Sequence, residues 1–377
     1  MSNKNLDSAD KYKKMALNLN LVGNYDKAIK YFKKSLEFNK DDFGVLINIA
    51  ANYTVLKNYD NAVEYYDKAL HIMPNDELAM SEKANVLFLQ GDFKKAADQF
   101  DMVIKNNEDN KTALYNKGIS LEKAGEFADA IYCFQLLIDK DNKYIDAYYS
   151  KARIEEKLGK TKEAINTYIT IASLKEDDGD PYLRIASIYN RRCLYDKALI
   201  YIEKFLEVNP ERVIGYVNKA LILMSSKRYN EALEWINRAI KMKNDDPDIY
   251  TVKGSLYRKI AEYEEAIRWY DEAIKIDNNC FKAYVFKAEV LMKIKDYYKA
   301  AECYKFLIKN DKSKLYSSFA KAPYKLVLIY KKLGEYDRVK ETGEKAIKYY
   351  EELICIAKEN NEFEEIIKKI KEILNSL

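Results

Sequence analysis

The sequence predicts an all-α solenoid, and three periodic columns predict it. Alanine recurs every 34 residues, at Ala28, Ala62, Ala96, Ala130, Ala164, Ala198, Ala232, Ala266 and Ala300. Twelve residues before each stands a second small residue: Ala16, Ala50, Ala84, Gly118, Ala152, Ala186, Ala220, Gly254 and Ala288. Four residues after each stands a bulky one: Phe32, Tyr66, Phe100, Phe134, Tyr168, Ile202, Ile236, Tyr270 and Tyr304. A period of this length marks units that bury their apolar face only against their neighbours, so the chain grows by stacking. One continuous array is expected, although 377 residues would ordinarily suggest two or three domains.

Each unit reads as two helical arms, A and B. Gly23, Gly91, Gly125 and Gly159 lie five residues before their alanines, and Tyr25, Tyr59, Tyr195, Tyr229, Tyr263 and Tyr297 lie three before. Glycine just past a helix end supplies the left-handed conformation a C-cap needs, so helix A ends near the glycines and helix B begins just after the tyrosines. The two small columns bring the arms close together. Gly118 and Gly254 stand inside helix A, where glycine costs about 1 kcal/mol relative to alanine, so a close backbone approach is expected there. The bulky column shares a helix B face with the alanines and fills the space beside them.

This pattern resembles the tetratricopeptide repeat family, whose 34-residue helix-turn-helix unit carries an aromatic at position 4, small residues at 8, 20 and 27, and aromatics at 11, 17 and 24. The recurring alanine is position 20. The second unit shows the pattern and ends at Pro74 in position 32; the sixth likewise ends at Pro210. The resemblance implies a right-handed superhelix of such hairpins, with nine registered units over residues 9–314. Twenty-one of the 33 tyrosines fall at positions 4, 11, 17 and 24, which makes them packing residues rather than a ligand platform.

A degenerate tenth unit is expected at 320–358. Tyr336 comes 39 residues after Tyr297, so about five residues are inserted near 311–319, and a bend or loosened interface is expected there. Val339 replaces the alanine, Gly343 the bulky residue, and Pro323 the aromatic of position 4. Residues 361–377 then read as one more helix, with Phe363, Ile366, Ile367, Ile370, Ile373 and Leu374 on one face. Capping the array is favoured for it; its heptad-like spacing makes dimerisation the alternative.

Composition argues against several classes of function. Lys and Arg total 64 against 60 Asp and Glu, a net +4, without the basic excess of a dedicated nucleic-acid or membrane-surface binder. No secretory signal or membrane-spanning stretch is read, and the five cysteines show no metal or disulfide spacing, so a reducing, cytoplasmic setting is expected. His71 is the sole histidine and sits where a helix C-terminus favours a cation. With no phosphate loop, nucleophile elbow or Cys/His set, neither enzyme activity, nor a cofactor, nor a metal is expected.

The expected function is a non-catalytic scaffold or adaptor for protein partners. The resemblance implies that helix A positions 2, 5, 9, 12 and 13 line a concave groove that holds a partner's peptide or helix. Leu17, Leu21, Ile47, Ala51, Val55, Leu78 and Phe88 make an apolar strip in the first three units. Asn85, Tyr115, Asn116, Tyr149 and Arg153 follow, and they are the candidate partner-binding residues, since Tyr and Arg are the usual anchors. Asn85, Asn116 and Arg153 match three of five places in the carboxylate clamp of chaperone-binding members. Ser81 and Tyr149 replace both of its lysines, so that clamp is not implied. Position 7 carries Lys83, Lys117, Lys151, Lys219, Lys253 and Lys287. Packing of their stems is the favoured account. The alternative is a nucleic-acid-associated protein whose lysine ridge tracks a phosphate backbone.

Overall fold

A computed structural model describes residues 3–310, 320–357 and 361–377, with side chains from residue 7 onward and, in the middle segment, up to 355. The insertion expected near 311–319, and the hinge it would make, lie outside the described residues. All regular structure in them is helical. The chain divides into two compact units, residues 1–176 and 177–377.

The first unit contains α1 (Asn3–Leu21), α2 (Tyr25–Phe38), α3 (Phe43–Val55), α4 (Tyr59–Ile72), α5 (Glu77–Gln90), α6 (Phe93–Asn106), α7 (Lys111–Ala124), α8 (Phe127–Lys140), α9 (Ile145–Lys157) and α10 (Thr161–Leu174). The second contains α11 (Asp180–Arg191), α12 (Tyr195–Val208), α13 (Val213–Ser225), α14 (Tyr229–Met242), α15 (Pro247–Lys259), α16 (Tyr263–Ile276), α17 (Phe281–Lys293), α18 (Tyr297–Asn310), α19 (Ala322–Leu333), α20 (Tyr336–Ala357) and α21 (Asn361–Asn375). Within each unit every helix packs on its neighbours in sequence, so each is an all-α solenoid of stacked hairpins.

The three columns explain the packing. All nine alanines of position 20 are fully buried, as is nearly every alanine of position 8, and the bulky residues of position 24 are at most 3% exposed. A Cβ on Gly118 would lie 2.7 Å from the Phe134 ring, and one on Gly254 2.7 Å from the Tyr270 ring. The expected backbone approach is not what crowds Gly118: a side-chain ring of position 24 does, and at Gly254 the ring is joined by the Ala266 carbonyl at 3.1 Å. Phe205 occupies position 27, a place for a small residue, and its bulk is matched by Gly215, whose Cβ would meet the ring at 2.6 Å.

Helix B begins on the position-17 residue itself, one place earlier than expected. The turn before it is built the same way in all ten hairpins: the N–H of position 16 bonds the carbonyl of position 11, from Asn24 to Leu19 through Glu335 to Tyr330. This is the Schellman closure, which needs a left-handed residue at position 15. Gly23, Gly91, Gly125, Gly159 and Gly334 supply it, while Lys57, Cys193, Lys227, Ala261 and Lys295 adopt it with φ between 58° and 66° despite their side chains. Cooperative closure of the hairpin therefore dictates the turn even where glycine is absent.

Four of the six position-4 tyrosines hold the inter-hairpin loops by their hydroxyls. Tyr148, Tyr216 and Tyr250 donate to the carbonyl six residues earlier, at 3.3, 3.0 and 3.1 Å, and Tyr284 donates to the Asn278 side chain at 2.9 Å. At the end of the second unit the stripe of α21 faces its own chain: Phe363, Ile366, Ile367 and Ile370 are buried with Ala346, Tyr350 and Leu353 of α20. A Cβ on Gly343 would meet Leu374 at 2.9 Å, so this leucine fills the place the bulky residue leaves.

Candidate functional site

The five candidate residues lie in the first unit on three A helices: Asn85 on α5, Tyr115 and Asn116 on α7, Tyr149 and Arg153 on α9. Side-chain bonds tie α7 to α9 at two levels. The Tyr115 hydroxyl lies 3.3 Å from Ser150 Oγ, and Arg153 donates to both Glu122 carboxylate oxygens, from Nε at 3.2 Å and from its terminal nitrogen at 2.6 Å. Tyr115 also packs its ring 5.6 Å from Phe134 and from Tyr144, and Tyr149 lies 6.3 Å from Tyr168. Both tyrosines are half-buried. Their rings thus belong partly to the packing.

Arg153 keeps 60% of its side chain exposed, while Glu122 keeps only 14%. The guanidinium is a neutralised cation. Asn85 and Asn116 are half-buried, and among the described residues their side chains bond no protein group. Their amides remain able to bond a backbone laid across α5 and α7. Behind this face Glu155 is 4% exposed; it accepts the Thr167 hydroxyl at 2.9 Å and lies 3.8 Å from Lys151. Burial pushes its carboxyl above the ordinary carboxylate range, against the Thr167 bond and Lys151, which pull it down.

Glu122 is the residue sequence reasoning missed. Its signal was an acid at position 12 followed 31 residues later by a base at position 9. The same pair recurs with its charges exchanged in the second unit, where Arg258 bonds Glu289.

The periodic lysines do not form a free ridge. Each reaches an acceptor 16 residues earlier, at position 25 of the preceding unit: Lys83 to Asp67, Lys117 to Asp101, Lys151 to Gln135, Lys219 to Glu203, Lys253 to Asn237 and Lys287 to Asp271, all within 2.5 to 3.0 Å. Lys219 and Lys253 also lie over Trp235 and Trp269, at 3.9 and 3.6 Å from the ring centres. Lys253 is 7% exposed, and burial lowers its ammonium below the ordinary lysine range. The ladder is a set of staples between successive hairpins, each ammonium engaged by its acceptor.

Among the described residues no cluster of three or more His, Cys, Asp or Glu could hold a metal ion, and no helix is long and apolar enough to cross a membrane. His71 lies in the last turn of α4, as expected.

Stacked hairpins with this register define a class, the helical-repeat proteins, and comparison with known families narrows it. The family model for anaphase-promoting complex, cyclosome, subunit 3 matches residues 55–137, 191–273 and 225–307, and the tetratricopeptide repeat model matches 14–42 and 145–178. The placements of the first model begin at 55, 191 and 225, four repeats and then one repeat apart, so the hairpin unit is what it recognises. The chain belongs to the tetratricopeptide repeat family. No curated protein matches it in sequence. Among solved structures, yeast Tom70 is similar over 97% of this chain and 95% of its own, at 17% identity and a TM-score of 0.46. A tetratricopeptide repeat protein from Parabacteroides merdae is similar over 66% and 98%, at 17% identity and 0.45. YrrB, described as having an unusual peptide-binding site, is similar over 49% and 95%, at 22% identity and 0.39.

Proposed function

We propose that the protein is a non-catalytic interaction scaffold that holds an extended or helical segment of a protein partner against the A helices α5, α7 and α9. The reading is supported by the half-buried amides of Asn85 and Asn116, which bond no protein group among the described residues, on the same three A helices as the half-exposed rings of Tyr115 and Tyr149. Amides bond a partner's backbone while rings take its side chains, and neither needs the partner to carry charge. Because Glu122 neutralises Arg153, the face favours a segment without a terminal carboxylate, which agrees with the two missing clamp lysines. The ion pair and the Tyr115–Ser150 contact hold α7 and α9 in fixed register, so little ordering is left to the moment of binding.

A photo-crosslinking amino acid placed at Tyr149, and separately at the exposed Tyr132 on helix α8, tests the reading. Crosslinks to a partner from Tyr149 and not from Tyr132 are expected. Equal crosslinking from both would remove the assignment of this face.

A further inference from the structure

Four hairpins carry no lysine at position 7. They have Met15, Ile49, Ile185 and Leu326 there, and position 23 of the same hairpins is Tyr31, Tyr65, Tyr201 and, in the last, Thr342. An aliphatic side chain at 7 is thus accompanied by a tyrosine at 23 in every case but one. At Ile49 the preceding position 25 is Lys33, whose ammonium donates to Tyr53 at 2.9 Å and lies 5.5 Å from the Tyr65 ring centre. At Leu326 the preceding position 25 is Lys305, and Tyr330 stands where Tyr53 does, but Thr342 stands in place of the ring. Lys305 ends 5.9 Å from the Tyr330 ring centre and has no carboxylate partner among the described residues.

The absent ring leaves a cavity of about 380 Å³ between α18, α19 and α20, floored by Leu326 and Tyr330. That volume lies within the range of about 300–1,000 Å³ common to ligand pockets. Its rim carries Lys305, Arg338 and Lys345 against one acid, Glu341. Glu341 is taken up by Lys345 at 2.6 Å, and Arg338 lies 2.8 Å from Glu335 outside the cavity. The rim therefore keeps a net positive charge.

We propose that this cavity receives an aromatic side chain of an acidic partner segment, the ring taking the place that Tyr65 fills at the Lys33 junction and the flanking carboxylates meeting Lys305. A lysine ammonium over an aromatic face is a contact the chain makes elsewhere at this level, at Tyr65, Trp235 and Trp269. The site is distinct from the face on α5, α7 and α9, and neither depends on the other.

Fluorescence anisotropy of the full chain with a fluorescein-labelled Glu-Asp-Tyr-Asp-Glu peptide tests it, with Glu-Asp-Ala-Asp-Glu and Lys-Lys-Tyr-Lys-Lys as controls. Saturable binding of the acidic tyrosine peptide alone is expected. Thr342→Tyr, which supplies the ring from within, and Lys305→Glu should each weaken it about tenfold or more. Tyr149→Ala should leave it unchanged. Helix content and melting of Thr342→Tyr are measured alongside; if that variant unfolds early, exposed Lys305→Glu decides. Absence of saturable binding, equal binding of the alanine peptide, or indifference to Lys305→Glu would overturn the proposal.

Discussion

Arg153 on α9 holds the carboxylate of Glu122 on α7 through two hydrogen bonds, joining position 9 of one hairpin to position 12 of the hairpin before it. With 60% of the arginine exposed, the pair sets register more than it adds stability. A double-mutant cycle with Arg153→Ala and Glu122→Ala, read by chemical denaturation, should give a coupling of about 0.2–1 kcal/mol. A coupling several times larger would mean the pair is dry and clamped.

The Gly118 contact with Phe134 predicts a larger effect. Gly118→Ala should gain helix propensity of about 1 kcal/mol yet lose more to the ring, for a net destabilisation of about 1–3 kcal/mol. Shortening the ring as Phe134→Leu should reduce the penalty of the added methyl. Stabilisation by Gly118→Ala in the native background would show that the ring yields at no cost.

The turns offer a gain instead. Ala261 holds a left-handed φ of 66° where half of the hairpins use glycine. Ala261→Gly should therefore stabilise by about 0.5–1 kcal/mol, and Gly91→Ala at φ 93° should destabilise by at least as much. Thermal melting of the two variants checks the opposite signs.

Glu155 makes stability depend on pH. Burial raises its carboxyl above the ordinary value of 4.5, so the folded chain keeps this proton at pH values where the unfolded chain has lost it. The group's contribution to stability falls as pH rises through 4.5 and levels off once the folded carboxyl has ionised. Glu155→Gln keeps an acceptor for Thr167 and removes the buried charge. It should be more stable than wild type at pH 7 and lose that advantage below pH 4.5, as followed by urea midpoints.

Much of the fold was legible because its columns repeat. Position 20 is small and position 24 bulky in the nine registered hairpins, so nine samples of each constraint stand in one sequence. The candidate residues were legible only as places on helices, since they do not repeat. The Glu122–Arg153 pair needed an offset of 31 residues, and the lysine staples an offset of 16, and neither lies within one helical turn. Glycine at position 15 marked half of the turns; Lys57 and Cys193 show that hairpin closure overrides the local preference in the rest. The division at 176/177 left no trace, because the 34-residue register runs through it unbroken. Phe205 became readable only with Gly215 beside it, a compensation between residues that share no column.

The claim that the α5, α7 and α9 face holds a partner is tested most directly by quantitative affinity capture with the full chain, wild type against the Tyr149→Ala/Arg153→Ala double variant. With helix content unchanged, at least one specifically captured partner should be lost from the variant. Equal recovery of every partner by both chains would contradict the account.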